Sequence, residues 1–429
     1  RYIPVRGKWM VFEDGQWVVD HQATALREAI SLHTHRLWAE AEKAGDEKAA
    51  KYFHGCLSEA RITCAIKMMR GRPGVVSKAE EFDARPNELN LANGTIDLET
   101  LEFHEHRPDD MLSKQMACGY DPEAIAPRWD QYLKEVLPDP EMRDFLQRVV
   151  GYSLTGEPVE RALAILHGPS GTGKSRFIET LTTLFGTYGT TAADSLFRSK
   201  REAPTGPSND LNDLRGARLA SVSELDSGIK MDEALVKRLT GFDSITSRGL
   251  YEENQTWRPQ CVIWLATNHH FRISSDDGAI WRRIKVIPFT QVIDPAAEDP
   301  QILKKLLAER DGIFNWMLEG LKKYRERRLV QPEGALSALD TYKSEQDPVR
   351  QFLDDLMADG RLEWGDHLTE CVTVFRLYQE WSRDEGELPL GKQRFNRRME
   401  ALKFERVKRS KWHWRGLRLA EGSGIMGTM

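Results

Sequence analysis

Cysteine is scarce and badly placed for bridging in this 429-residue chain. The five present (Cys56, Cys64, Cys118, Cys261 and Cys371) are odd in number, scattered, and never paired as Cys-x-x-Cys. That argues against a disulfide framework or a structural zinc site and suits a reducing cytoplasm, in a bacterial host or an equivalent compartment. Long apolar runs are missing as well. None approaches the roughly 20 residues of a membrane span, and no secretory leader is visible. Nor is there an excess of positive charge: the formal net charge is −5, so any nucleic-acid contact has to come from local basic patches. The chain opens on Arg1 rather than Met, which leads us to expect a missing upstream part. What is present, 40 % hydrophobic and 30 % charged residues, describes a soluble chain long enough for two to four domains.

The strongest single signal is Gly168-Pro169-Ser170-Gly171-Thr172-Gly173-Lys174-Ser175. It follows the apolar run 162–166 and precedes a helical pattern from Arg176, which is the strand–loop–helix context of a P-loop. Glycines let backbone N–H groups turn inward around phosphate oxygens, and the helix N-terminus adds partial positive charge. Lys174 is expected on the β- and γ-phosphates of ATP, and Ser175 on Mg²⁺.

Upstream, residues 1–20 alternate around Asp14-Gly15, a hairpin signal. Helical spacing runs from Gln22 to Met69 with a break at Ala44-Gly45-Asp46. Short strands return over 82–107, and helices over 127–154. His104 and His106 would share one strand face, but no third ligand lies nearby, so we read them as a solvated face. Downstream, 195–213 reads as a loop and 218–224 as a buried strand ending in Glu224. An acid there would hold the Mg²⁺ shell or orient attacking water, with Asp226 in reserve. A helix is expected over 231–240, carrying Lys237. Strands are expected over 245–250 and 255–265, and the second runs on to Asn268, an amide able to orient water. The adjacent His269-His270 read as loop histidines. Arg282 and Arg283 precede the apolar strand from Ile284, where an arginine can stabilise charge on a transferring phosphoryl group.

In this order the run 168–175, Glu224, the segment Lys237 to Asp243, Thr267-Asn268 and Trp281-Arg282-Arg283-Ile284 resemble the superfamily 3 helicases. The likeness is to the helicase half of phage and plasmid primase-helicases, related to the poxvirus primase-helicase. Phe82-Asp83 to Leu89-Asn90, Asn93 to Leu98 and Gly151 to Gly156 resemble the same group. The resemblance implies an α/β fold with an AAA+-like P-loop NTPase core. It also implies a homo-hexameric ring on single-stranded DNA, with a primase upstream or in trans. By resemblance, Lys174, Glu224 and Asn268 are catalytic, and Asn268 is the first sensor. Arg283 is the finger entering the neighbouring subunit's site, with Arg282 and Lys237 as further trans candidates. Arg248 and Tyr251, on the hairpin between the two strands, are expected in the ring's channel. The sequence carries Glu224-Leu225-Asp226 where many relatives have a double acid, so the division of roles between the two stays open.

After Gln331-Pro332-Glu333-Gly334 a small domain is expected, with helices over 373–383 and 391–402 and a hairpin over 406–417. Trp412 and Trp414 would share one face of it, and Lys411, His413 and Arg415 the other. Eleven Lys or Arg lie between Lys392 and Arg418, against Glu400 and Glu405. This is a local footprint for nucleic acid, with Arg406, Lys408, Arg409, Lys411 and Arg415 as candidates in a winged-helix-like domain. The expected layout is an N-terminal mixed α/β domain (1–150), an ATPase/helicase domain (151–330), the small domain (335–420) and a disordered tail (421–429). An ATP-regulated replication initiator or loader without unwinding fits most of these features. A small-molecule kinase leaves Asn268, Arg283 and the basic tail without a role.

Overall fold

The computed structural model describes residues 1–198, 210–223, 230–241, 243–248, 254–269, 271, 273, 278–385 and 388–420. Its chain forms two compact units, Arg1–Leu336 and Ser337–Met429. The first opens with the antiparallel strands β1 (Tyr2–Ile3), β2 (Lys8–Glu13) and β3 (Gln16–Asp20). Asp14 (φ 48°) and Gly15 (φ 80°) are both left-handed, as the two-residue turn of the expected hairpin requires. Helices α1 (Thr24–Lys43), α2 (Glu47–Cys56) and α3 (Glu59–Met69) follow. The break at Gly45 is the one expected; a second, at Leu57-Ser58, was not foreseen. Strands β4 (Glu88–Leu91), β5 (Gly94–Asp97) and β6 (Phe103–His104) make a second antiparallel sheet. Because β6 stops at His104, His106 shares no strand face with it. Instead, His106 Nε2 lies 2.8 Å from the Leu91 carbonyl. Among the described residues, no cluster of His, Cys, Asp or Glu could hold a metal ion.

Helices α4 (Pro127–Val136) and α5 (Pro140–Ser153) lead into the central sheet. Its elements are β7 (Leu163–His167), α6 (Lys174–Leu184), β8 (Gly189–Thr191), α7 (Asp210–Asp213), β9 (Leu219–Ser223), α8 (Glu233–Leu239), β10 (Ile245–Arg248), β11 (Asn254–Trp257), β12 (Val262–Thr267), α9 (Gly278–Arg283) and β13 (Ile284–Pro288). Five of these strands form one parallel sheet in the order β13-β7-β12-β9-β8. Leu163 to Leu166 and all of β12 are buried, as expected for parallel strands covered on both faces. The strand expected over 255–265 is in fact two. Pro259 has no N–H to donate to a ladder, and the chain breaks there. β11 pairs back on β10 as a hairpin, whereas β12 joins the central sheet. α7 also interrupts the loop expected over 195–213.

Helices α10 (Ile302–Ala308) and α11 (Arg310–Arg327) close this unit. A single core runs from Leu89 through Trp129, Phe145, Leu166 and Trp264 to Leu321 and Ala335. The boundary expected at residue 150 therefore falls inside α5, whose Val149 and Val150 are fully buried in that core. Arg218 ties the two sides further. Its buried guanidinium donates to the carbonyls of Leu154 and Glu88 and lies 4.7 Å from the Tyr188 ring centroid.

Helix α12 (Glu333–Glu345) begins inside the expected linker at 331–334, and the units divide within it, after Leu336. The second unit adds α13 (Pro348–Ala358), β14 (Leu362–Glu370), α14 (Cys371–Asp384), α15 (Lys392–Ala401), β15 (Glu405–Lys408) and β16 (Trp412–Leu419). The expected hairpin is β15–β16; β14, which pairs on β16's other side, was not foreseen. Its core gathers Phe352, Val374, Tyr378, Phe395, Met399 and Trp414. The tail 421–429 lies outside the described residues.

Candidate nucleotide-binding site

In a parallel sheet every strand ends at the same edge, so the loops following them converge there. The register sets His167 of β7 opposite Thr267 of β12, and Ala266 opposite Ser223 of β9. The glycine loop therefore leaves the sheet directly beside Thr267-Asn268, and the Gly168 N–H points to the Thr267 carbonyl at 3.4 Å. Gly168 is required by packing: a Cβ there would meet the Phe289 carbonyl oxygen at 1.9 Å. Gly173 is required by conformation, since its φ of 87° begins α6 from the left-handed region.

Around the loop lies a cavity of about 850 Å³ lined by Ser170 to Arg176, Ala266 to His269, three residues of α4 and the segment after β13. Lys174 is buried, and its ammonium donates to three neutral oxygens of its own loop: Gly168 O (2.7 Å), Pro169 O (2.6 Å) and Thr172 Oγ1 (3.0 Å). Burial lowers its pKa. An anion in the cavity would favour the charged form, so the donor set fits a polyphosphate. Ser175, Asn268 and His269 are exposed at the cavity wall. Thr267 Oγ1 donates to the His269 carbonyl (2.6 Å) and accepts from its N–H (3.0 Å), fixing the turn that carries Asn268.

The α4 residues at the cavity escaped sequence reading. Tyr132 is buried, and its hydroxyl donates to the Gly173 carbonyl at 2.7 Å; the same burial pushes the phenol pKa up. Arg128 pairs with Glu135 at 3.2 Å, while the backbone N–H groups of Arg128 and Trp129 donate to the Glu309 carboxylate at 3.0 Å each. Trp129 stacks on Phe177 of α6 (5.6 Å between centroids, 17° between planes). An amphipathic helix that ends at Val136, well before the glycine loop, carries no motif; only the fold brings it to the site.

Other expected site residues lie elsewhere. Glu224, Asp226, Tyr251 and His270 fall outside the described residues, as does the side chain of Arg248. Arg283 does not line the cavity. As the last residue of α9 it donates from Nε to Thr240 Oγ1 (3.1 Å) and from Nη1 to the Ala279 carbonyl (2.7 Å). Arg282 is exposed, and Lys237 stands 3.9 Å from Glu233. In the second unit the basic candidates are largely engaged. Lys411 pairs with Glu370 (2.9 Å) and Arg415 with Glu405 (2.8 Å). Arg406 lies over the rings of Trp412 (4.7 Å) and Trp414 (5.7 Å), and Lys408 is 5.8 Å from Trp412. Arg409 is exposed.

Fold and cavity define an α/β protein with a glycine loop at the edge of a parallel sheet. Comparison with known proteins narrows this. Residues 1–138 match the family described as D5 N terminal like, and residues 166–283 match a family of unknown function, DUF5906. A protein of Acanthamoeba polyphaga mimivirus named as a helicase is 26 % identical over 431 aligned positions, covering 90 % of this chain and 44 % of that protein. A protein of African swine fever virus named as a primase is 22 % identical over 79 % of this chain and 37 % of its own length. The chain thus spans less than half the length of these relatives. Among solved structures, the apo C-terminal region of NrS-1 aligns with 85 % of this chain and 91 % of its own at 12 % identity and a TM-score of 0.47. Over most of its length the chain is therefore similar to viral proteins named as a helicase and a primase. Among the described residues no helix is long and apolar enough to cross a membrane.

Proposed function

We propose that this chain is the ATP-driven motor part of a replicative DNA helicase of a phage, plasmid or other mobile element. In this reading it works on single-stranded DNA as a homo-hexameric ring, with primase activity upstream or in a partner chain. The observation that carries the reading is the cavity at the sheet edge, where a buried lysine on a glycine loop meets the turn holding Asn268. Gly168 to Ser175 would wrap the phosphates, with Lys174 on the β- and γ-oxygens. Ser175 and Glu224 would hold Mg²⁺, which neutralises charge on the phosphates when bound. Asn268 would orient the attacking water, and Glu224 would act as its base or as a shell acid. Arg283, with Arg282 and Lys237 as further candidates, would act in the next subunit's cavity. The register supports this division: the β7 and β12 ends lie side by side where the glycine loop leaves the sheet, whereas Arg283 precedes Ile284, which pairs with Leu163 at the start of β7 and so at the opposite edge. The second unit, a small helical domain with a three-stranded wing, is read as winged-helix-like and DNA-facing; of the five cations expected on its hairpin, Arg409 is exposed and has no ion pair among the described residues.

The test is hydrolysis and strand displacement by the same preparation. Wild type should hydrolyse ATP faster with single-stranded DNA and release a displaced strand. Lys174→Ala should lose at least about 100-fold in hydrolysis, the scale of deleting one electrostatic contact to the transition state. A wild type that hydrolyses ATP yet releases no strand would leave an initiator or loader as the function.

A further inference from the structure

A second cavity, of about 250 Å³, lies in the N-terminal part and shares no residue with the first. Its cationic lining comes from three separate elements: Lys8 from β2, Arg27 from α1, and Lys67 and Arg70 at the end of α3, with His21 beside them. One carboxylate, Asp20, lines it, and both its oxygens are engaged, accepting from the Ala25 and Leu26 N–H groups at 3.0 Å each. Arg27 is steered by Glu59 (2.6 Å) and Thr63 (3.3 Å). Lys67 and Arg70 are exposed and have no hydrogen bond or ion pair from their side chains among the described residues; Arg70 only lies 5.3 Å from the Tyr2 ring centroid. Cations at the end of α3 are what its dipole favours. The dipole does not account for Lys8 and Arg27 converging from other elements.

Four cations against one lining carboxylate, whose two oxygens already accept backbone N–H groups, favour an anion, and the size narrows which. The cavity is smaller than the 300–1,000 Å³ typical of pockets that enclose a drug-sized ligand, so it suits one phosphate group and not a whole nucleotide. Lys8, Lys67 and Arg70 are exposed and screened at physiological salt, so a lone phosphate would bind weakly. Phosphates strung along a strand gain from releasing their counterions together, and a further exposed cation, Arg72, follows Arg70 by two residues in the chain. We infer that this cavity holds one backbone phosphate of a nucleic-acid strand, giving the N-terminal part its own DNA contact. The inference rests on the reading that the chain works on single-stranded DNA.

The experiment measures binding of a labelled oligothymidylate by anisotropy across a salt series, using the full chain. The double variant Lys67→Ala, Arg70→Ala should bind at least about 10-fold more weakly at low salt. Its log K against log salt should be shallower by about 0.7 for each phosphate that is no longer neutralised. Melting temperature and DNA-free ATP hydrolysis should stay at wild-type values, since both side chains are exposed. A charge-matched control, Arg36→Ala with Lys43→Ala on α1, should leave the slope unchanged. Equal slopes in wild type and the double variant, or equal shifts in the control, would overturn the inference and leave the motor reading standing. If inorganic phosphate raises the melting temperature of wild type alone while oligonucleotide binding is identical in both, the cavity serves free phosphate and the strand assignment falls. A wild type that hydrolyses ATP but binds no oligonucleotide would overturn this inference together with the DNA part of the motor reading.

Discussion

Tyr132 is the side chain through which α4 grips the glycine loop. Its hydroxyl bonds the Gly173 carbonyl, which already accepts the first helical N–H of α6, from Phe177 at 3.0 Å. That second bond sets the tilt of the Gly173 peptide, whose neighbouring N–H groups would face the phosphates. Tyr132→Phe keeps the ring against Gly173 and removes only the bond, a net of about 0.5–1.5 kcal/mol. Nucleotide affinity should therefore fall about 3- to 10-fold while kcat stays within about two-fold, because the contact acts on bound ground state and transition state alike. A KM for ATP equal to wild type would remove Tyr132 from the site. Tyr132→Ala adds a core cavity, costing about 3–5 kcal/mol by analogy with other aromatic truncations, so the phenylalanine variant carries the test. At this level the sequence was half legible. Lys174, Ser175 and Asn268 could be named because a motif or a strand end announces them. Tyr132 and Arg128 could not, because their role depends on α4 lying across the loop, a contact made through Trp129 and Phe177 that no local pattern records.

The helices α5 and α11 approach so closely that two glycines become the contact. A Cβ on Gly151 would meet the backbone of Leu321 at 2.1 Å, and one on Gly320 the Gln147 carbonyl at 2.1 Å. Alanine in a helix ordinarily gains about 1 kcal/mol over glycine. Here backbone faces backbone, so no flexible side chain can give way, and overpacking of about 1–3 kcal/mol or more outweighs the gain. Gly320→Ala should therefore lower the melting temperature of the chain, whereas Gly360→Leu, in open space but at φ 66°, should cost only local strain. Thermal unfolding of the two variants checks the ranking; a Gly320→Ala as stable as wild type would mean the helices can part. This packing also explains why the expected boundary at residue 150 fails. Composition shows no linker there. The core instead runs from β4 to α12. Element types were legible wherever period and turn chemistry agreed, as in the Asp14-Gly15 hairpin and four of the five parallel strands; the short β8 (Gly189–Thr191) was not expected. They blurred where one polar run hid a break, at Pro259, or where a strand such as β14 is mostly exposed and lacks alternation.

A motor needs its sites to sense one another, and the position of Arg283 bears directly on that. In this chain Arg283 stands just before the start of β13, its guanidinium is tied to Thr240 and Ala279, and it lines no part of the glycine-loop cavity. A residue so positioned can complete a site only if a second copy brings it there across a head-to-tail interface, the kind that closes into rings. The prediction is complementation. Lys174→Ala subunits and Arg283→Ala subunits should each be inactive alone, since every interface lacks one of the two groups. Mixed in equal amounts, about a quarter of the interfaces in a random ring pair an intact Lys174 with an intact Arg283. ATP hydrolysis should then recover to roughly that fraction of wild type if sites fire independently, and to less if they must fire in sequence. Varying the ratio should give a maximum at equal amounts. If Arg283 served its own chain's cavity, every subunit in the mixture would carry a broken site, and no ratio would restore hydrolysis.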